Sequence, residues 1–78
     1  MKKIKVILSE DNRSINVSYK IIDEEYDNDI FHKIMEKVRK ADLSCRNMKD
    51  SNNVRFFYIS GIIAEDVTKT YEEIEKLN

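Results

Sequence analysis

The chain has 78 residues, a formal net charge of −1, 37% charged and 41% hydrophobic residues, one Gly (Gly61), one His (His32), one Cys (Cys45), and no Pro or Trp. That inventory is too small for a Cys/His metal cage, a glycine-lined phosphate cradle or an internal disulfide. The near-neutral balance gives no global pull toward nucleic acid or membrane, and the length and apolar content fit one α+β domain spanning residues 1–78.

The first element begins at Lys2. Ile4, Val6 and Leu8 alternate with Lys3, Lys5 and Ile7, which predicts a half-buried strand. A second alternation runs from Ser14 to Ile22, with Ile15, Val17, Tyr19 and Ile21 on one face and Ser14, Asn16, Ser18 and Lys20 on the other. The polar stretch Ser9-Glu10-Asp11-Asn12-Arg13 between them carries turn-tolerant Asp and Asn. Residues 2–22 therefore read as a β-hairpin with one apolar and one wet face.

At Asp23 the period changes. Tyr26, Ile30, Phe31, Ile34, Met35, Val38 and Ala41 recur at three- and four-residue steps, the stripe of an amphipathic helix. Asp23, Glu24, Glu25, Asp27 and Asp29 sit where a helix start favours negative charge, and Lys37, Arg39 and Lys40 sit where its end favours positive charge. Asp29–Lys33 and Glu36–Lys40 have the spacing of i,i+4 ion pairs. Beyond Ala41 two readings stay open: helix continuing through Cys45 and Met48, or a short strand over residues 43–48. Lys49–Asn53 reads as a turn.

Val54–Ile59 is the densest aromatic and β-branched run and reads as a strand. Gly61 marks a bulge or exit turn after it. Ile63, Val67, Tyr71, Ile74 and Leu77 then form the stripe of a second helix of about three turns, capped near Ser60 or Asp66. The order β-β-α-(β)-β-α implies a two-layer α+β sandwich: an antiparallel sheet of three or four strands with both helices on the hairpin's apolar face.

Sites with chemistry are weak. His32 has Asp29 and Glu36 on its helical face, but with no second His it reads as an ordinary surface residue. Cys45 reads as a small core or boundary residue, and no catalytic, cofactor or metal residue is assigned. The run Arg55-Phe56-Phe57-Tyr58 is the best candidate. Alternation puts Phe56 and Tyr58 on one face and Arg55, Phe57 and Ile59 on the other, and the composition alone does not say which is exposed. The assignment adopted places Phe56 in the core and groups Arg55, Phe57 and Ile59 with Lys3, Lys5 and Lys20 as a partner-binding face.

The sequence thus predicts a non-catalytic, protein-binding module that acts by stoichiometric contact. With no spanning segment or signal peptide it is expected in the cytoplasm. Residue usage rich in Lys, Ile and Asn is that of AT-rich bacterial genomes and their phages, so the expected form is a phage or mobile-element inhibitor of a host defence protein. Two alternatives stand beside it: a module for RNA or single-stranded nucleic acid, which the lack of a Gly-flanked recognition strand disfavours, and a structural or self-associating subunit, such as a homodimer.

Overall fold

The computed structural model describes residues 3–78. Met1 and Lys2, where the hairpin reading begins, lie outside the described residues. Four strands and two helices follow in the order β1 (Ile4–Leu8), β2 (Ser14–Lys20), α1 (Glu24–Lys40), β3 (Ser44–Lys49), β4 (Val54–Ser60) and α2 (Ala64–Glu75). The strands form one antiparallel sheet ordered β1-β2-β4-β3. Because β2 and β3 each run antiparallel to β4, the α1 crossover joins two parallel strands with β4 lodged between them.

Two turns set the register. In the first, Ser9 Oγ accepts from the N–H groups of Arg13 (3.2 Å) and Ser14 (3.0 Å) and donates to Asp11 Oδ1 (2.6 Å). In the second, Asp50 Oδ1 accepts from the N–H groups of Asn52 and Val54, both at 2.9 Å. Asn12 and Asn53 take the left-handed conformation in these turns, each at φ 59°, which Asn tolerates better than most residues. Side-chain oxygens thus replace absent backbone acceptors, and the strands are held in one pairing.

Helix α1 begins where the acidic run predicts. Asp23 is the N-cap and accepts from Tyr26 N–H at 2.7 Å, with Glu24, Glu25 and Asp27 in the first turn. Its end settles the question left at Ala41. Asp42 turns left-handed at φ 56°, Leu43 N–H reaches Val38 C=O and Asp42 N–H reaches Arg39 C=O, both at 3.1 Å. That bond pair is a Schellman stop, so residues 44–49 are free to become strand β3. Leu43 then packs against Gly61. A Cβ on Gly61 would come within 2.5 Å of Leu43 Cδ2 and 3.0 Å of Val67 Cγ2. Glycine permits that close approach, and its φ is not positive, so no left-handed backbone calls for it.

The start of α2 differs from expectation. Its N-cap is Ile63, with no side-chain hydrogen bond, in place of Ser60 or Asp66. Ser60 is taken up as the last residue of β4 and Asp66 lies inside the first turn.

Both helices cover one face of the sheet. Ile4, Ile15, Val17, Tyr19, Phe57 and Ile59 from the strands meet Ile30, Ile34 and Val38 of α1 and Val67 and Ile74 of α2. Each such side chain contributes about 1.5–3 kcal/mol of burial free energy. The start of edge strand β1 is capped by Asn78: its Oδ1 accepts from Ile4 N–H (2.8 Å) and Lys3 N–H (3.1 Å), and Nδ2 donates to Ile4 C=O (2.9 Å). Among the described residues no helix is long and apolar enough to cross a membrane.

The hairpin keeps its expected parity, with Lys5, Asn16, Ser18 and Lys20 on the uncovered face, but β4 has the opposite parity from the one expected. The register pairs Val17 with Phe57, Ile15 with Ile59 and Tyr19 with Arg55, and directly opposed residues share a face. Phe57 and Ile59 are therefore core residues, 1% and 0% exposed, whereas Phe56 and Tyr58 are 38% and 46% exposed. The physical reason is twofold. Phe57 with Ile59 is a more apolar pair to bury than Phe56 with Tyr58, whose hydroxyl would need a partner. The charge that then travels inward, Arg55, meets a carboxylate waiting for it.

Candidate functional interface

The uncovered face is built row by row across the sheet. One row runs Lys5–Ser18–Phe56–Met48, the next Ile7–Asn16–Tyr58–Arg46, and a third Ser14–Ser60–Ser44. Lys20 opposes Val54 at the far end, where its ammonium donates to Asn52 C=O in the β3–β4 turn. Phe56 and Tyr58 lie on an inner strand, two residues and about 7 Å apart. Met48, Ile7 and Arg46 are exposed around them. A shallow depression follows the β2, β4 and β3 strands here, lined by Asn16, Arg46, Met48, Phe56, Tyr58 and Ser60.

The charge on this face has one sign. Lys5, Lys20 and Arg46 project from its rows, Lys3 is exposed just before β1, and no acidic residue occupies the rows. The nearest acids are in the turns: Asp11 and Asp50 are engaged by their own turn backbone, Asp11 also by Ser9, and Glu10 is exposed next to Asp11. The serine hydroxyl and the Arg13 N–H hold the Asp11 carboxyl below its usual range. A chain of net charge −1 thus presents a basic, aromatic-centred surface.

Behind the face is a polar brace. Asp27 of α1, 7% exposed, receives Arg55 Nε on Oδ1 (3.1 Å), an Arg55 terminal nitrogen on Oδ2 (2.7 Å) and the Tyr19 hydroxyl on Oδ1 (2.6 Å). Arg55 also sits 5.2 Å from the Phe31 ring centre, and Phe57 contacts the Tyr19 and Phe31 rings at 6.2 and 5.5 Å. Hydrogen bonding from Arg55 holds the Asp27 carboxyl below its ordinary value despite burial. Burial, then the bond to Asp27, pushes the Tyr19 phenol well above its own. This ties α1 to the two inner strands and holds the sheet under the exposed aromatics.

Of the residues assigned to a partner-binding face from the sequence, Lys5 and Lys20 lie on the uncovered face, with exposed Lys3 next to it. Arg55, Phe57 and Ile59 do not: they point to the helices. Phe56, Tyr58, Arg46 and Met48 take their place. The signal for the first two is the greater apolarity of the Phe57/Ile59 pair; the last two carry none in Ser44–Lys49 itself, which has no apolar alternation, and are placed only by the register with β4.

The other candidates have plain surroundings. His32 is exposed, its ring perpendicular to that of Phe31 with 5.9 Å between ring centres, while its neighbour Asp29 pairs with Lys33 at 3.0 Å. Among the described residues no group of His, Cys, Asp and Glu is placed to hold a metal ion. Cys45 faces the helix side of β3, and burial pushes its thiol up, away from the reactive thiolate. Lys37 reaches Glu73 of α2 at 3.8 Å. No protein-family model matches the chain, and neither any curated protein nor any solved structure matches it.

Proposed function

We propose that the protein is a non-catalytic, protein-binding module that acts by stoichiometric contact, and that its working surface is the uncovered sheet face. One observation carries this reading. Phe56, Tyr58, Met48 and Arg46, residue types enriched at interfaces and their hot spots, stand together on two adjacent strands, and among the described residues no element lies over them. The lysines ring this centre as a polar rim, and the braced sheet beneath limits the ordering cost of binding. The expected form is an inhibitor that occupies the surface of a host defence protein, and the basic rim favours a target surface that is acidic there.

Self-association through the same face is the weaker reading. Two copies face to face would oppose Lys5, Lys20 and Arg46 with no acid to answer them, and like-charge juxtaposition of that kind costs several kcal/mol.

The test is capture from a host extract with the wild type and a Phe56→Ala/Tyr58→Ala variant in parallel. A one-to-one complex retained by the wild type and lost by the variant, with the variant's melting curve native, is the expected result. Retention by both would remove the face from the mechanism.

A further inference from the structure

We infer that the uncovered sheet face also binds single-stranded nucleic acid, an assignment that rests on reading that face as the working surface and not on the protein partner. Two neighbouring rings on an inner strand, Phe56 and Tyr58, stand half exposed on a flat sheet, the arrangement on which successive unpaired bases stack. Their flanks are chemically specific. Tyr58 is opposed by Asn16 on one side and Arg46 on the other, so a base stacked there meets a donor–acceptor amide and a planar guanidinium. Ser18 lies beside Phe56, and Ser14, Ser60 and Ser44 continue across the sheet.

The composition separates this ligand from an apolar protein surface. Lys and Ser, the commonest residues of this face, form the polar rim beside the rings, where a phosphate backbone can run. Hydroxyls, an amide and cations without any carboxylate suit base edges and phosphates together. The sign of the charge agrees: every charged side chain on the rows is basic, in a protein whose net charge is −1.

The experiment is fluorescence anisotropy with labelled dT12 and U12 strands and a twelve-base-pair duplex, titrated with the wild type and single variants at several salt concentrations. The wild type should bind the single strands more tightly than the duplex, whose stacked bases cannot reach the rings. Phe56→Ala and Tyr58→Ala should each weaken single-strand binding by about tenfold, while Tyr58→Phe keeps it. Lys5→Ala should lower the magnitude of the log affinity against log salt slope by about 0.7, as loss of one phosphate contact does. The inference is overturned by no binding to either single strand at low salt, by equal binding of duplex and single strand, or by alanine variants that stay native yet bind as tightly. If the wild type ignores oligonucleotides but captures a protein that Phe56→Ala/Tyr58→Ala loses, the contact surface stands and the nucleic-acid assignment alone falls.

Discussion

Tyr19 donates its hydroxyl to Asp27 at 2.6 Å across the sheet–helix boundary, while its cross-strand neighbour Arg55 grips the same carboxylate from the other side. One acid on α1 therefore satisfies a phenol and a guanidinium from β2 and β4. Removing that carboxylate strips Arg55 of its counter-charge and leaves the Tyr19 hydroxyl only its longer bond to the Asp27 backbone carbonyl (3.3 Å). Asp27→Ala should cost about 3 kcal/mol in urea unfolding. Replacing the pair together, as in Asp27→Leu/Arg55→Met, should cost less than Asp27→Ala alone, because no buried charge is then stranded. If the double variant is the less stable of the two, the brace contributes through charge attraction and not through mutual satisfaction.

The same brace gives a pH dependence with a definite sign. The Asp27 carboxyl titrates below its ordinary value in the folded state, so its contribution is fully present above about pH 4 and is lost as pH falls through the depressed folded value. Tyr19 moves the other way: its phenol is raised, so its contribution is present below about pH 10 and is lost as pH rises beyond that. Melting temperatures of wild type and Asp27→Asn should converge toward acid pH. A constant gap from pH 7 down to pH 2 would contradict the linkage.

Much of this architecture is legible in the chain because its periods are clean. Ile15-Val17-Tyr19 alternates over enough residues to fix one face, and Ile30-Ile34-Val38 steps as a helix must. The parity of β4 carries opposing signals: the apolar Phe57/Ile59 pair points inward, but Arg55 shares their face and an arginine reads as outward. Its buried partner Asp27 lies 28 residues away in sequence and itself reads as one more acid at a helix start. Only the fold brings the two together. The candidate surface inherited that inversion, so its lysines were found and its aromatics were exchanged.

The inversion makes a direct contrast in stability. Phe57, 1% exposed and in contact with two rings, should cost about 3–5 kcal/mol when truncated to Ala. Phe56, 38% exposed, should cost less than about 1.5 kcal/mol by the same change, since much of its surface remains wet. Chemical denaturation of the two variants measures this. Equal losses would mean that the outward ring is packed more tightly than its exposure indicates.

Two helix ends leave room for improvement. Asp42 holds a left-handed turn at φ 56° and places a negative charge at the carbonyl end of α1, both unfavourable. Asp42→Gly should therefore raise stability by about 0.5–1 kcal/mol. Ile63, an N-cap without a side-chain acceptor and 59% exposed, should gain about 1 kcal/mol as Ile63→Asp. The sites are on different helices, so thermal scans of the double variant should show nearly additive gains.

Gly61 provides the sharpest test of the packing at the end of β4. A methyl group there would meet Leu43 Cδ2 at 2.5 Å and Val67 Cγ2 at 3.0 Å, closer than van der Waals contact allows. The end of the Leu43 side chain must swing aside from the new methyl, while Val67, fully buried, has little room to give. Gly61→Ala should cost about 1–3 kcal/mol as overpacking. Leu43→Ala alone should cost about 2 kcal/mol or more by leaving a cavity. In combination the new methyl occupies part of the space that Leu43 vacated, so Leu43→Ala/Gly61→Ala should be less destabilised than the sum of the two, with a coupling of about 1 kcal/mol or more in a double-mutant cycle. Strict additivity would show that the glycine is needed for its backbone and not for the approach of Leu43.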